Sequence, residues 1–504
     1  MIDTTKQTRI NFYTNILALI VNVVIGIYYT PYLVGSLGLA AYGILPLALI
    51  INQYIGVATQ ALTHSYTRFY GVALQRGDYN GASKVISTSL VVSILITILI
   101  VPVGIYIISK VDSLFQVPTG LLKSARLLFG FTILSFILSI VSSILNVTLY
   151  ALNRLDLMNV LKIIRAVFKL VIVILLFEVV RIDVSFVGVA NLLTECLILV
   201  ASIYFFIRYK PSEVRISFAL FDKVLLYSIL GMSIWVSIQL CGDTLLYRTD
   251  NLIVNHYWGS ESSGALGAVC EIGAYVSIIA GVIGSLFGPL IIASYAKNEH
   301  DTVKSLFIEQ STIVGCLSAI LAGTIAGCST PLLDVWLGQG MGQYNWWLMI
   351  KMLVIPFFAA GGIMAFVYRA WNKVRFPAIC TLVLGIIDIA ILVLVCEIIN
   401  PSDVKPILII STVFSFLQCF ILNIICVYRI YNDCKGKFLS IFLKITISFI
   451  VCCVFGKIIS TYFLVDNLFE LGGMLVAVAL LMFGFVFCII LNKDERTKLI
   501  EIVK

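Results

Sequence analysis

Charge is scarce in this chain. Of its 504 residues 12% are charged and 61% are hydrophobic, whereas a soluble protein of this size carries about a quarter charged residues. Histidine is scarcer still, at three. The 13 cysteines therefore lack the partners of a zinc site, and no C-x-x-C occurs. Most cysteines, Cys196, Cys241, Cys316 and Cys488 among them, lie inside apolar stretches and read as small lipophilic side chains. Long polar segments are missing too. The longest outer link runs from about residue 110 to 125, far short of the roughly 50 residues that fold alone. There is no G-x-x-x-x-G-K-[ST]: Gly436-Lys437 and Gly456-Lys457 lack the earlier glycine and the following hydroxyl. H-E-x-x-H and G-x-S-x-G are absent as well. These gaps exclude a built-in P-loop ATPase, a zincin and a serine hydrolase. They leave a protein that acts within or across a bilayer.

What is present is about fourteen apolar stretches of spanning length, centred near residues 22, 53, 97, 137, 170, 196, 237, 277, 316, 357, 388, 417, 453 and 481. A bilayer core takes roughly 20 apolar residues per helix. The first stretch, about Asn11 to Leu33, is too long for a signal-peptide core and reads as a retained helix. The links alternate in basic content. One set, with both tails, holds 25 of the 34 Lys and Arg residues; the other holds six, Lys110, Lys123, Arg126, Arg181, Arg248 and Lys405. Only Lys169, Lys351 and Lys457 fall elsewhere. Cytoplasmic loops retain basic residues. The pattern predicts an all-α integral membrane protein of about 14 transmembrane helices with both termini in the cytoplasm. The net charge of +8 then faces anionic lipid headgroups and needs no nucleic-acid partner.

The halves resemble each other at an offset of about 220 residues. Leu33-Val34-Gly35-Ser36-Leu37-Gly38, with Gly43 beyond it, answers to Ile253-Val254-Asn255-His256-Tyr257-Trp258-Gly259 with Gly264. Arg76 and Lys84 answer to Lys297 and Lys304, and Tyr150 with Asn153-Arg154 answers to Tyr368 with Asn372-Lys373. The expected organisation is an N-terminal six-helix bundle, 1–222, a C-terminal six-helix bundle, 223–441, and an extra helix pair with a cytoplasmic tail, 442–504. An even helix number per unit makes the repeats parallel, the arrangement of an alternating-access transporter with a central cavity. Glycines and prolines inside helices, such as Pro46, Pro102, Gly281, Gly284, Gly288 and Pro289, read equally as hinges or as ordinary membrane-helix composition. Pro356 with Gly361-Gly362 favours a bend.

Ionisable side chains deep in a membrane helix usually face a cavity or a partner. Lys162, Arg165 and Lys169 fall at i, i+3 and i+7 on the fifth stretch, on one helix face. Lys169 would lie roughly 13 Å beyond an entry near Val160, close to mid-membrane. They read as a basic track lining a cytoplasm-facing cavity, or as snorkelling and paired groups. Asp243, Arg248 and Asp250 end the seventh stretch, Glu271 lies in the eighth and Lys351 in the tenth. These read as ion pairs tying helix ends, or as an outer anion site of Arg248 and Lys351 that the acids partly balance. His64 could titrate near neutral pH and serve coupling, or be structural. Asp388, Glu178, Glu195, Glu309 and Lys457 have no partner evident from sequence. Tyr28, Tyr29, Tyr32, Trp336, Trp346 and Trp347 read mostly as interface anchors, or for some as stacking platforms for sugar rings in a vestibule.

Thr30-Pro31-Tyr32-Leu33-Val34-Gly35-Ser36-Leu37-Gly38-Leu39-Ala40-Ala41-Tyr42-Gly43 resembles the opening signature of bacterial polysaccharide repeat-unit flippases. Those are the O-antigen and capsule exporters of the multidrug/oligosaccharidyl-lipid/polysaccharide superfamily. Pro331 with Leu337-Gly338, and Asn372-Lys373 with Pro377, resemble the family's loops on either side of helix ten. The resemblance implies a bacterial inner-membrane transporter, not an enzyme. It would move undecaprenyl-pyrophosphate-linked oligosaccharide from the cytoplasmic to the outer leaflet for O-antigen, lipopolysaccharide, capsule or exopolysaccharide assembly. Implied partners are that lipid, membrane lipids and other polysaccharide-assembly proteins. Arg165, Lys169, Arg248 and Lys351 are the candidate pyrophosphate or sugar contacts, since fixed cations neutralise a pyrophosphate in a low-dielectric core. Asp243, Asp250, Glu271 and His64 are the candidate charge partners or coupling groups. No cofactor and no metal site is expected; H+, Na+, membrane potential and downhill flux all stay open for coupling. A cation-coupled multidrug or metabolite exporter of the same superfamily would want carboxylates in the first four helices, where none occurs. A membrane polymerase or glycosyltransferase would want a sizeable loop with acid/base residues, and the loops here are short and lack D-x-D.

Overall fold

In hydrocarbon no water is available to satisfy backbone N–H and C=O groups, so long apolar segments close their hydrogen bonds internally as helices. The computed structural model describes residues 4–285, 287–399, 401–463 and 465–503. Every regular element among them is helical. Among the described residues, twelve helices are long and apolar enough to cross a membrane. One of these, Ser233–Gly284, has 52 residues, about 78 Å of helix, more than twice a hydrocarbon core. It breaks at Gly259, where φ is 83 and ψ 178. The Leu155–Val179 helix has 25 residues, a spanning length, but carries Asp156, Lys162, Arg165, Lys169 and Glu178 and is not among the twelve. The structure thus has the all-helical, many-span fold class expected from the sequence.

The internal repeat is written into the backbone. Gly38 and Gly259, the matched glycines, both take positive φ, 77 and 83. Gly77 and Asn298 follow Arg76 and Lys297 and have φ 72 and 59; Asn153 and Asn372 have φ 56 and 55. Four helices, Ile44–Gln75, Leu122–Ala151, Gly288–Ala296 and Asn345–Ala370, end on these last four residues in one hydrogen-bond pattern. Asp78 N–H donates to Ala73 O, Arg154 to Leu149 O, Glu299 to Ser294 O and Lys373 to Tyr368 O. Gly77, Asn153, Asn298 and Asn372 each donate to the carbonyl three residues back. This is the Schellman cap, which requires a left-handed residue just past the helix and favours Gly or Asn there. The matched residues of the two halves therefore do the same local job.

The chain forms two compact units, Met1–Thr244 with Val254–Gly264, and Leu245–Ile253 with Ala265–Lys504. In the first, Leu122–Ala151 packs between Ile44–Gln75 and Val184–Tyr209, and Thr4–Leu37 runs along Leu155–Val179. A core of Tyr66, Tyr70, Val85, Ile86 and Ile144 fills one end. The matched glycines meet reciprocally: a Cβ on Gly43 would strike the Ser260 carbonyl, and one on Gly264 the Leu39 carbonyl. In the second unit, His300–Gly327 packs against Asn345–Ala370 and Lys435–Tyr462. A Cβ on Gly323 would overlap the Phe449 carbonyl, and one on Gly327 the Cys453 carbonyl. That small-residue stripe lets two backbones touch and builds the thirteenth apolar stretch into this unit's core. Lys444 pairs with Glu495 at 2.7 Å, and Lys498 pairs with Glu309. The sequence offered Glu309 no partner; its partner is 189 residues away.

Two predictions follow from these local devices. Asn372→Val should cost about 1–2 kcal/mol through strain at positive φ, whereas Asn372→Gly should leave stability unchanged; thermal unfolding of the purified protein reads both. Asp222 accepts from the backbone N–H groups of Leu225 and Val224 and from Lys84 Nζ at 3.1 Å. The Leu225 N–H first, and Lys84 next, hold its carboxyl below the ordinary carboxylate range. A depressed value stabilises above the unfolded pKa of about 3.9 and is lost as pH falls through the folded value. Asp222→Asn should therefore unfold at lower temperature than the wild type at pH 7, and the gap should narrow as the pH falls below the unfolded value.

Candidate functional site

Tyr247 and Asp250 lie three residues apart on the helix arm 223–258, so they share a face. Asp250 is buried at 3% exposure. Lys351, in the second turn of Asn345–Ala370, forms an ion pair with its Oδ2. Ser411, fully buried on Lys405–Phe416, donates to that same oxygen at 2.6 Å. Lys351 Nζ also donates to the Ser411 hydroxyl at 3.2 Å. One turn along, Tyr247 Oη donates to Gln418 Oε1 at 2.7 Å. Gln418 stands in a π-helical stretch, Leu417–Leu422, whose Cys419 carbonyl abuts Gly361. The second unit thus holds a buried polar seam from Asp250 to Gln418.

The charges of Lys351, Asp250, Arg248 and Glu271 all act on the Cys270 thiol. Four residues singled out in the sequence are therefore within electrostatic reach of one cysteine, and two of them, Lys351 and Asp250, are in contact. Asp388 joins this group: it is fully buried at mid-helix on Arg375–Ile398, within electrostatic reach of Asp250 and Lys351. Neither that approach nor the part of Ser411 is marked in the sequence, because both depend on how three helices are turned toward one another.

The remaining candidates lie in the first unit. Arg165 forms an ion pair with Glu195 of the next helix at 2.8 Å, so Glu195, unpartnered in the sequence reading, has a partner. Lys162 Nζ donates to Asn159 Oδ1 at 3.2 Å. Lys169 Nζ stands 5.0 Å from the Tyr29 ring centroid, a cation–π distance. His64 is exposed on the Ile44–Gln75 helix, and Asp243 is half-buried. The first four long helices of this unit contain no Asp or Glu. Among the described residues no group of three or more His, Cys, Asp or Glu could hold a metal.

No protein-family model matches the chain. Its fold is that of the MATE and MurJ membrane transporters. The lipid II flippase MurJ, in an inward closed conformation, superposes with a TM-score of 0.66 at 14% identity, over 96% of this chain and 99% of MurJ. An inward-facing multidrug resistance MATE family transporter of the MOP superfamily gives 0.65 at 14% identity, over 83% and 99%. Among curated proteins the chain is similar to the uncharacterized membrane protein EpsK of Bacillus subtilis (strain 168). The two are 26% identical over 399 residues, 76% of each. The chain is a multi-pass membrane protein with a transporter fold.

The Lys351–Asp250 pair makes a double-mutant prediction. Removing one partner of a buried ion pair costs about 3–5 kcal/mol, because the other charge is left uncompensated, whereas replacing both by apolar groups is often neutral. Lys351→Met and Asp250→Leu should each lower the unfolding temperature strongly, and the double variant should recover most of the loss. A double variant as unstable as the two effects added would contradict the pairing.

Proposed function

We propose that this protein is a flippase of the bacterial cytoplasmic membrane. It carries an undecaprenyl-pyrophosphate-linked oligosaccharide from the inner to the outer leaflet by alternating access. In this reading the chain crosses the membrane fourteen times with both termini inside. The two arms flanking Gly259 count as separate crossings, and the charged Leu155–Val179 helix counts as one. The first twelve crossings are a parallel duplication, and the last two are an addition.

One observation carries the choice of cargo. The long helices of the first unit hold bases where a cation-coupled drug exporter would want acids: Lys162, Arg165 and Lys169 on Leu155–Val179, and no carboxylate in the four long helices before it. A diphosphate needs fixed cations to enter a low-dielectric path, and Arg and Lys supply charge-assisted hydrogen bonds. Glu195 partly balances Arg165, which keeps that charge affordable until an anionic head group competes for it. Similarity to a lipid II flippase over nearly the whole chain supports a lipid cargo. The lipid tail stays in the bilayer while the head group moves. A second reading, export of a drug or metabolite, draws support from the equally good superposition on a multidrug transporter.

Deleting the gene in its host separates the two. The flippase reading expects accumulated undecaprenyl-pyrophosphate-linked oligosaccharide and missing surface polysaccharide. Unchanged levels of both, in a strain without a second flippase, would overturn it, and a drug-susceptibility panel of the same strain reads the alternative. Lys169→Glu, at normal membrane level, should abolish export; normal export would remove Lys169 from the path.

A further inference from the structure

Asp388 is a buried ionisable group that the proposed cargo path does not use. It is fully buried, and neither of its carboxyl oxygens has a hydrogen-bond partner among the described residues. The charged groups that act on it are Asp250, from the arm 223–258, and Lys351, from Asn345–Ala370. On Lys405–Phe416, which packs against its own helix, the one charged residue is Lys405 at the first position, paired with Asp403 at 2.9 Å. The adjoining π-helical stretch contributes Cys419 and no charge. Its own helix carries Arg375 and Glu397 at opposite ends.

Lys351 is already committed. Its ammonium is bound to Asp250 and Ser411, and Ser411 is bound to Asp250. One cation therefore faces two carboxyl groups. With both ionised, the cluster would keep an uncompensated negative charge on the one carboxylate that has no donor, an arrangement interiors avoid. A metal cation does not fit the donor set. Hard divalent ions take about six or more oxygens, whereas here Asp250 and Ser411 already hold an ammonium and Asp388 stands without oxygen neighbours in hydrogen-bond contact. A fully buried carboxyl with no donor, within electrostatic reach of a tethered ammonium, suits the smallest ligand, a proton.

We propose that Asp388 is the proton-binding site through which transport is coupled, with Lys351 as a built-in counter-cation that takes the place of a metal ion. On protonation an O–H bond of hydronium breaks as an O–H bond forms at one Asp388 Oδ, leaving water; on release the Asp388 O–H breaks and water takes the proton. Protonated Asp388 leaves Lys351 on Asp250. Deprotonated Asp388 competes with Asp250 for the same ammonium. The three groups sit on three helices, so protonation decides which pair is drawn together. This inference rests on the transporter reading above and not on the identity of the cargo.

Infrared difference spectroscopy of the full-length protein in lipid vesicles tests it. Wild type minus Asp388→Asn at neutral pH should show one protonated-carboxyl C=O band, fading as the pH is raised. Asp388→Glu should shift that band rather than remove it, and it stands in for the asparagine variant if the latter does not fold. Replacing choline chloride by NaCl should leave the band unchanged. No difference band at neutral pH would overturn the proposal, and a band removed by sodium would overturn it in favour of a metal-cation site. The spectrum contains no cargo, so a failed flippase reading leaves this result standing. If transport is reconstituted, Asp388→Asn should lose its response to a pH gradient.

Discussion

A polar group that enters hydrocarbon must bring its partner with it. That constraint organises this protein at each level. The backbone meets it by closing its hydrogen bonds within helices. Helix ends meet it with Schellman caps at Gly77, Asn153, Asn298 and Asn372, which occupy exposed carbonyls before the chain turns back. Side chains meet it by pairing: Arg165 with Glu195, Lys351 with Asp250 and Ser411.

The two units satisfy the constraint differently. The first keeps its acids out of its four leading long helices and presents bases on Leu155–Val179, only partly balanced. The second gathers charges of both signs into a buried seam on four segments, from Asp250 to Lys351, Asp388 and Ser411. On the proposals made here, the first unit offers cations to an anionic cargo and the second carries a charge balance that a single proton can tip. The extra C-terminal pair adds no acid to that seam. Its first helix instead fills the glycine stripe of His300–Gly327 and strengthens the second unit's core.

Much of this was legible in the sequence because it is local. Apolar runs and the alternation of basic links indicate helices. Matched residues such as Gly38 and Gly259, or Asn153 and Asn372, mark places where the backbone must turn left-handed, and the structure puts positive φ at each. Charge in an apolar helix is rarely idle, and of the charged residues that this rule singles out in the second unit, Asp250 and Lys351 form an ion pair. His64 and Asp243, flagged on the same ground, lie in the first unit instead. The sequence left Glu195, Glu309 and Asp388 without partners, although two of them are ion-paired and the third stands beside the most buried of the ion pairs.

The sequence by itself determined that the chain is a many-span helical membrane protein, and its matched glycines and asparagines fall where the backbone takes positive φ. Those properties depend on hydropathy and on φ preferences over a few residues. Tertiary structure alone decided which charge neutralises which. Asp250 and Lys351 are 101 residues apart, Ser411 and Asp250 161, and Arg165 and Glu195 30. Such pairs form only when neighbouring helices are rotated to bring two faces together, and that rotation is set by packing along the whole helix length. It also decided that Asp388 would be buried without a hydrogen-bond partner among the described residues, within electrostatic reach of an ammonium already paired.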